Sequence, residues 1–172
     1  GCKKQIKIAL KKIETNMEQQ FGSKTKPLLV SIRSGARHSM PGMMETVLNV
    51  GLTDRTISGV IVQTKNEKFA YDSYRRLMMM YSDVVMEKGD SQMSSDPIRI
   101  ILEKQLFQLK RKKKITLDME LTANDLQILC LQYKQLIQKR FKKLFPQDPL
   151  QQLWGGIEAV FKSWNGKRAV EY

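Results

Sequence analysis

The sequence predicts an α+β fold that is predominantly helical, on three observations. Apolar residues recur at helical spacing along most of the chain, one short β-branched run interrupts them, and helix-start signals precede the later helical stretches. In chain order, Ile6, Leu10, Ile13, Met17 and Phe21 share one face of an amphipathic helix over 4–21 that Gly22 closes. The run Leu28-Leu29-Val30-Ser31-Ile32 reads as a buried strand over 27–33, and residues 34–45 as a loop. Asp54 is the expected N-cap of a short helix. A longer helix is expected over 67–88, with Phe69, Tyr74, Leu77, Met78, Tyr81, Val84 and Val85 turned inward and Gly89 stopping it. Asp96-Pro97 and Asp148-Pro149 each set an N-cap acid before a proline suited to a first helical position. Between them, Thr122-Ala123-Asn124-Asp125 is a capping box that opens a helix running to Leu144. That helix is expected to bury Leu126, Leu129, Cys130, Tyr133, Leu136, Ile137, Phe141 and Leu144.

At 172 residues and 41% hydrophobic content the chain is expected to be one domain with its own core rather than a disordered tail. No apolar run reaches the length of a membrane-spanning helix. The start, Gly1-Cys2-Lys3-Lys4-Gln5, has neither an initiator methionine nor the apolar segment of a secretory signal, so the chain is expected to be a piece of a longer one. Two cysteines far apart form no disulfide framework and favour a reducing, cytoplasmic setting. With a single histidine, the mixed Cys/His zinc pattern is excluded.

The net charge is +13, and residues 101–145 hold eleven Lys/Arg against four Asp/Glu, over half of the excess. The sharpest run is Lys110-Arg111-Lys112-Lys113-Lys114. It could serve a nucleic acid or another anionic surface, but no aromatic residues alternate with it as a stacking platform requires. A solvated helix end, where cations complement the dipole, is the plainer reading. Met78-Met79-Met80 is read as core filler, since consecutive helical residues point in different directions.

The segment after the strand carries the chemistry. Arg33 and Arg37 offer forked donors that match phosphate oxygens, and Gly35 and Gly42 allow close backbone approach. Together they describe a polyphosphate-binding edge, with an ordinary loop bearing surface arginines as the alternative. Adjacent Arg75 and Arg76 point about a quarter turn apart, so one can pair locally while the other faces a site. An ion pair of Arg76 with Asp72, four residues earlier, is the competing explanation.

Val30-Ser31-Ile32-Arg33-Ser34-Gly35-Ala36-Arg37, continued by Ser39-Met40-Pro41-Gly42-Met43-Met44-Glu45-Thr46-Val47-Leu48-Asn49, resembles the amino-terminal nucleotide-binding domain of the pyruvate, phosphate dikinase family. The resemblance continues in Phe69-Ala70-Tyr71-Asp72-Ser73-Tyr74-Arg75-Arg76, in Leu121-Thr122-Ala123-Asn124-Asp125-Leu126, and in Gly155-Gly156-Ile157-Glu158-Ala159-Val160-Phe161-Lys162-Ser163-Trp164-Asn165. These matches keep the family's order. Residues 101–118 match weakly.

The resemblance implies part of an ATP-grasp nucleotide-binding domain with an inserted helical subdomain: residues 4–62 as the strand and phosphate-loop part, 63–147 as the helical subdomain, 148–172 as a return helix. It implies that Arg33, Ser34, Gly35, Arg37, Gly42, Met43, Thr46 and Arg76 hold nucleotide or phosphate, Arg33 foremost, and that Arg76 reaches the terminal-phosphate or orthophosphate region. It implies a parent enzyme that converts ATP, orthophosphate and pyruvate to AMP, pyrophosphate and phosphoenolpyruvate through a phosphohistidine. That parent is expected to be a homodimer, with phosphohistidine and pyruvate/phosphoenolpyruvate domains beside this one. The family's ATP lysine, magnesium ligands and reactive histidine have no counterpart here. His38 departs from the small apolar residue usual at its position and is not that histidine. The segment alone is therefore expected to be inactive, to lack catalytic residues and metal ligands, and to engage neither membrane nor nucleic acid. Two other classes remain open: a basic module binding anions or nucleic acid through residues 110–114, and a non-catalytic regulatory piece.

Overall fold

The computed structural model describes residues 1–33, 46–87 and 96–163. Among the described residues there are six α-helices and four short strands: α1 Cys2–Met17, β1 Gln20–Phe21, β2 Pro27–Leu28, β3 Val30–Arg33, β4 Thr46–Val50, α2 Ile57–Thr64, α3 Glu67–Tyr81, α4 Ile98–Lys113, α5 Ala123–Phe141 and α6 Pro149–Ser163, with α3 packed against α2, α4, α5 and β4. The predominantly helical α+β expectation holds.

The capping box forms as expected. Thr122 Oγ1 accepts from the Asp125 amide at 3.1 Å, and Asp125 Oδ2 accepts from the Thr122 amide at 3.0 Å. Pro149 opens α6, with Asp148 Oδ1 accepting from the Leu150 amide at 3.0 Å. Other boundaries move. α1 ends at Met17, where Glu18 turns left-handed (φ 53°), because Phe21 is drawn into β1 beside Leu28 of β2. The expected 27–33 strand breaks at Leu29 into β2 and β3, and only its first part, Pro27 and Leu28, is buried.

Asp54 does not cap α2. Thr56 occupies that position, and the Asp54 carboxylate instead accepts from the Tyr74 hydroxyl (2.8 Å) and pairs with Lys134 (2.8 Å). Asp96 likewise pairs with Lys104 (2.6 Å), leaving Pro97 at the N-cap of α4 without a side-chain cap. Phe69 and Leu144, both expected inside, are 52% and 70% exposed, and α5 stops at Phe141 with Lys142 in a left-handed cap. Of the methionine run, Met78 is buried and Met79 and Met80 half-buried. After Tyr81 the chain continues as a π-helical turn over Ser82–Met86. Gly89 lies outside the described residues.

β4 has no counterpart in the sequence expectation. It pairs antiparallel with β3, Arg33 opposite Thr46, Ile32 opposite Val47 and Val30 opposite Val50. The register slips by one residue between the last two pairs, and Asn49, at φ 60°, sits in that bulge with its Nδ2 donating to the Ser73 carbonyl of α3 (3.3 Å). Val47 and Val50 are fully buried. They join Tyr74, Leu77 and Met78 of α3 and Leu126, Leu129, Tyr133 and Ile137 of α5 in the core. Phe145 stands edge-on to Tyr74 and Tyr81, with ring centroids 6.3 and 5.6 Å away.

Buried Gln152 ties α6 to the chain after β4. Its Oε1 accepts from the Gly51 amide (2.9 Å), and its Nε2 donates to the carbonyls of Leu52 (2.9 Å) and Pro146 (2.8 Å). α2 comes so close to the segment before β2 that a Cβ on Gly59 would stand 2.5 Å from both the Lys24 carbonyl oxygen and Pro27 Cδ. Gly59→Ala should therefore lower the unfolding free energy by about 1–3 kcal/mol in urea titration, although alanine is the better helix former. Unchanged or increased stability would show that α2 is free to move away.

Candidate functional site

Arg33 is the last residue of β3 and Thr46 the first of β4, and the two face each other across the ladder. Pairing anchors both ends of the connection over residues 34–45, so Arg33 and Thr46 form its root. Ser34, Gly35, Arg37, Gly42 and Met43, the other residues expected there, lie outside the described residues, as does His38. The Arg33 side chain is exposed and has no acidic partner among the described residues. It stands at a groove of about 430 Å³ between α1, β3 and α6, lined by Ile6, Leu10, Ile32, Leu153 and Ile157 among others. None of the α1 residues is fully buried, so its apolar face remains open along this groove.

Arg75 and Arg76 point in different directions, as their spacing suggested, but both pair locally, and the ion pair of Arg76 with Asp72 weighed against a site role is present. Arg75 is 4% exposed, with Nε donating to Asp72 Oδ1 (2.7 Å) and Nη2 to Asp118 Oδ2 (3.1 Å), which ties α3 to the short 3-10 turn Asp118–Glu120. Arg76 faces outward, 56% exposed at the side chain, with Nε on Asp72 Oδ2 (2.9 Å). The expected competitor for Arg76, Asp72, is thus engaged by both arginines at once. Lys110, the first of the basic run, pairs with Asp118 at 2.8 Å. That contact and, less strongly, Arg75 hold the Asp118 carboxyl below the usual range. Burial pushes the neighbouring Tyr133 phenol up to about 12, against a smaller downward pull from Arg75.

The rest of the run behaves as a helix end. Lys110, Arg111, Lys112 and Lys113 form the last turn of α4, Lys114 is its left-handed cap, and Lys113 pairs with Asp125 (2.8 Å). Cys2 and Cys130 are free thiols. Cys130 is buried and pushed up to about 12 by desolvation, which makes it a poor nucleophile. Among the described residues no group of three His, Cys, Asp or Glu side chains converges to hold a metal ion. Magnesium, which the family resemblance implies, finds no ligand set among them. Nor is any described helix long and apolar enough to cross a membrane.

Sequence reasoning missed the link from Lys110 through Asp118 to Arg75, because it joins residues more than thirty positions apart. It also missed Gln152, whose only local sign is an amide set among the apolar residues Leu150, Leu153 and Trp154.

A family model described as "Pyruvate phosphate dikinase, AMP/ATP-binding domain" matches residues 2–172. Among curated proteins, a pyruvate, phosphate dikinase of Clostridium symbiosum is 44% identical over 169 residues, covering 98% of this chain and 18% of that protein. A chloroplastic pyruvate, phosphate dikinase of Mesembryanthemum crystallinum is 45% identical over 172 residues, covering 100% and 17%. One from Entamoeba histolytica is 41% identical over 172 residues, covering 100% and 18%. The chain thus spans less than a fifth of the length of these relatives.

Proposed function

The chain belongs to the pyruvate phosphate dikinase AMP/ATP-binding domain family, and on that premise we propose that it supplies the phosphate-holding edge of a nucleotide site. The enzyme it would serve converts ATP, orthophosphate and pyruvate to AMP, pyrophosphate and phosphoenolpyruvate by way of a phosphohistidine carried elsewhere. The observation that supports this reading most is the Arg33–Thr46 pair. A guanidinium at a strand end is held by the ladder behind it, has no acidic partner among the described residues, and is free to fork onto phosphate oxygens.

Ser34, Gly35, Arg37, Gly42 and Met43 belong to the same phosphate edge, and Thr46 closes it. Arg76 takes the terminal phosphoryl group or orthophosphate. In this reading residues 4–62 and 148–172 are parts of an ATP-grasp body and 63–147 an inserted helical subdomain. Magnesium ligands, the reactive histidine and the pyruvate site lie in other parts of a homodimeric, cytoplasmic parent. A basic module binding nucleic acid through residues 110–114 has less support, since Lys110 and Lys113 are already engaged by Asp118 and Asp125.

Arginines alone neutralise a polyphosphate only in part and set no in-line geometry for transfer. The purified 172-residue chain is therefore expected to form no ATP from phosphoenolpyruvate, AMP and pyrophosphate. Measurable turnover would overturn this division of labour.

A further inference from the structure

Five charged side chains of alternating sign form a continuous line from the end of α4 to the exposed face of α3. Lys110 Nζ contacts Asp118 Oδ1 (2.8 Å), and Asp118 Oδ2 contacts Arg75 Nη2 (3.1 Å). Arg75 Nε contacts Asp72 Oδ1 (2.7 Å), and Asp72 Oδ2 contacts Arg76 Nε (2.9 Å). Asp72 gives one oxygen to each arginine. It is not a loose surface carboxylate, since its inner partner Arg75 is only 5% exposed at the side chain and is itself fixed by Asp118.

Arg76 is gripped only through Nε, and its two terminal nitrogens have no partner among the described residues. A guanidinium held by its inner nitrogen, with Nη1 and Nη2 turned outward, is already oriented to bind an oxyanion bidentately. The line sums to one positive charge, and its exposed end is Arg76. We propose that Asp72 is a positioning residue, locked by Arg75, Asp118 and Lys110, that aims the terminal nitrogens of Arg76 at the oxygens of orthophosphate. The inference rests on the reading of Arg76 as a phosphate ligand. It gives Lys110 a task distinct from that of the other residues of the basic run.

A double-mutant cycle in the full-length enzyme tests it, with the apparent KM for orthophosphate as the readout. Asp72→Asn replaces one carboxylate oxygen by a donor and so breaks one arm of the line. It should raise that KM roughly tenfold while leaving the KM for pyruvate unchanged, a loss equivalent to one charge-assisted contact. Arg76→Ala should raise it at least as much. In the Arg76→Ala background, Asp72→Asn should add less than about twofold, because a residue acting through Arg76 has nothing left to act on. Effects that multiply instead would overturn the positioning role while leaving Arg76 as a ligand. An unchanged KM in Arg76→Ala would overturn both. Thermal unfolding verifies that each variant folds. If Asp72→Asn does not, Asp118→Asn, one link further away, should show the same non-additivity with Arg76→Ala, and additive effects there would equally overturn the proposal.

Discussion

Gln152→Ala is expected to destabilise the protein by about 3–5 kcal/mol, among the largest effects of any single substitution here. The side chain is fully buried and satisfies three backbone groups: the Gly51 amide and the carbonyls of Leu52 and Pro146. Each would be left unpaired away from water, at about 1–3 kcal/mol per group, part of it recovered where the cavity admits water. Gln152→Glu keeps the volume but sets a carboxylate against two carbonyl oxygens, so it should be at least as damaging. Because Gly51 follows β4 directly, the loss would also loosen the strand that carries Thr46. Urea unfolding measures the effect. A change below about 1 kcal/mol would mean that α6 is not locked to the end of β4 through this amide.

What could be read from the sequence was what local chemistry decides. The Thr122–Asp125 capping box and the Asp148-Pro149 start need only neighbours within one turn, and both form. Asp54 and Asp96 looked like equally good caps but are claimed by Lys134 and Lys104, and in the case of Asp54 also by Tyr74. Nothing in the local sequence reports the partner of Asp54 eighty residues away, whereas Lys104 competes for Asp96 from only eight residues on, within α4 itself. β4 escaped for a different reason. The bulge at Asn49 places its buried valines at 47 and 50, three apart, so the alternation that announces a strand is broken. The end of α1 was overrun because Phe21 continues the helical apolar spacing yet belongs to β1.

The candidate site divides along the same line. Arg33 was singled out because the chemistry of an arginine at a strand end is local, while its pairing with Thr46 needed the unseen strand. That Arg75 and Arg76 point in different directions followed from helical geometry. The fixing of Asp72 through Asp118 and Lys110 did not, since it depends on how α4 and the turn after it fold back onto α3.

Arg33 carries the second large effect. In the full-length enzyme, Arg33→Ala is expected to slow ATP-driven phosphorylation of the catalytic histidine by roughly ten- to a hundredfold, the equivalent of about 1.5–3 kcal/mol for one charge-assisted contact. The loss grows if the contact tightens as charge develops during transfer. Arg33→Lys keeps the charge but not the fork, so it should restore little. Its exposed position at the end of β3, with no acidic partner among the described residues, means that neither change should disturb the fold.

The most direct measurement compares the two half-reactions of Arg33→Ala separately. Phosphorylation of the enzyme by ATP and orthophosphate is followed in a single turnover, and phosphoryl exchange between phosphoenolpyruvate and pyruvate at equilibrium. The account predicts a defect confined to the ATP side, with exchange at the wild-type rate. Wild-type rates in both, or a defect only on the pyruvate side, would contradict the assignment of the β3–β4 edge to the nucleotide.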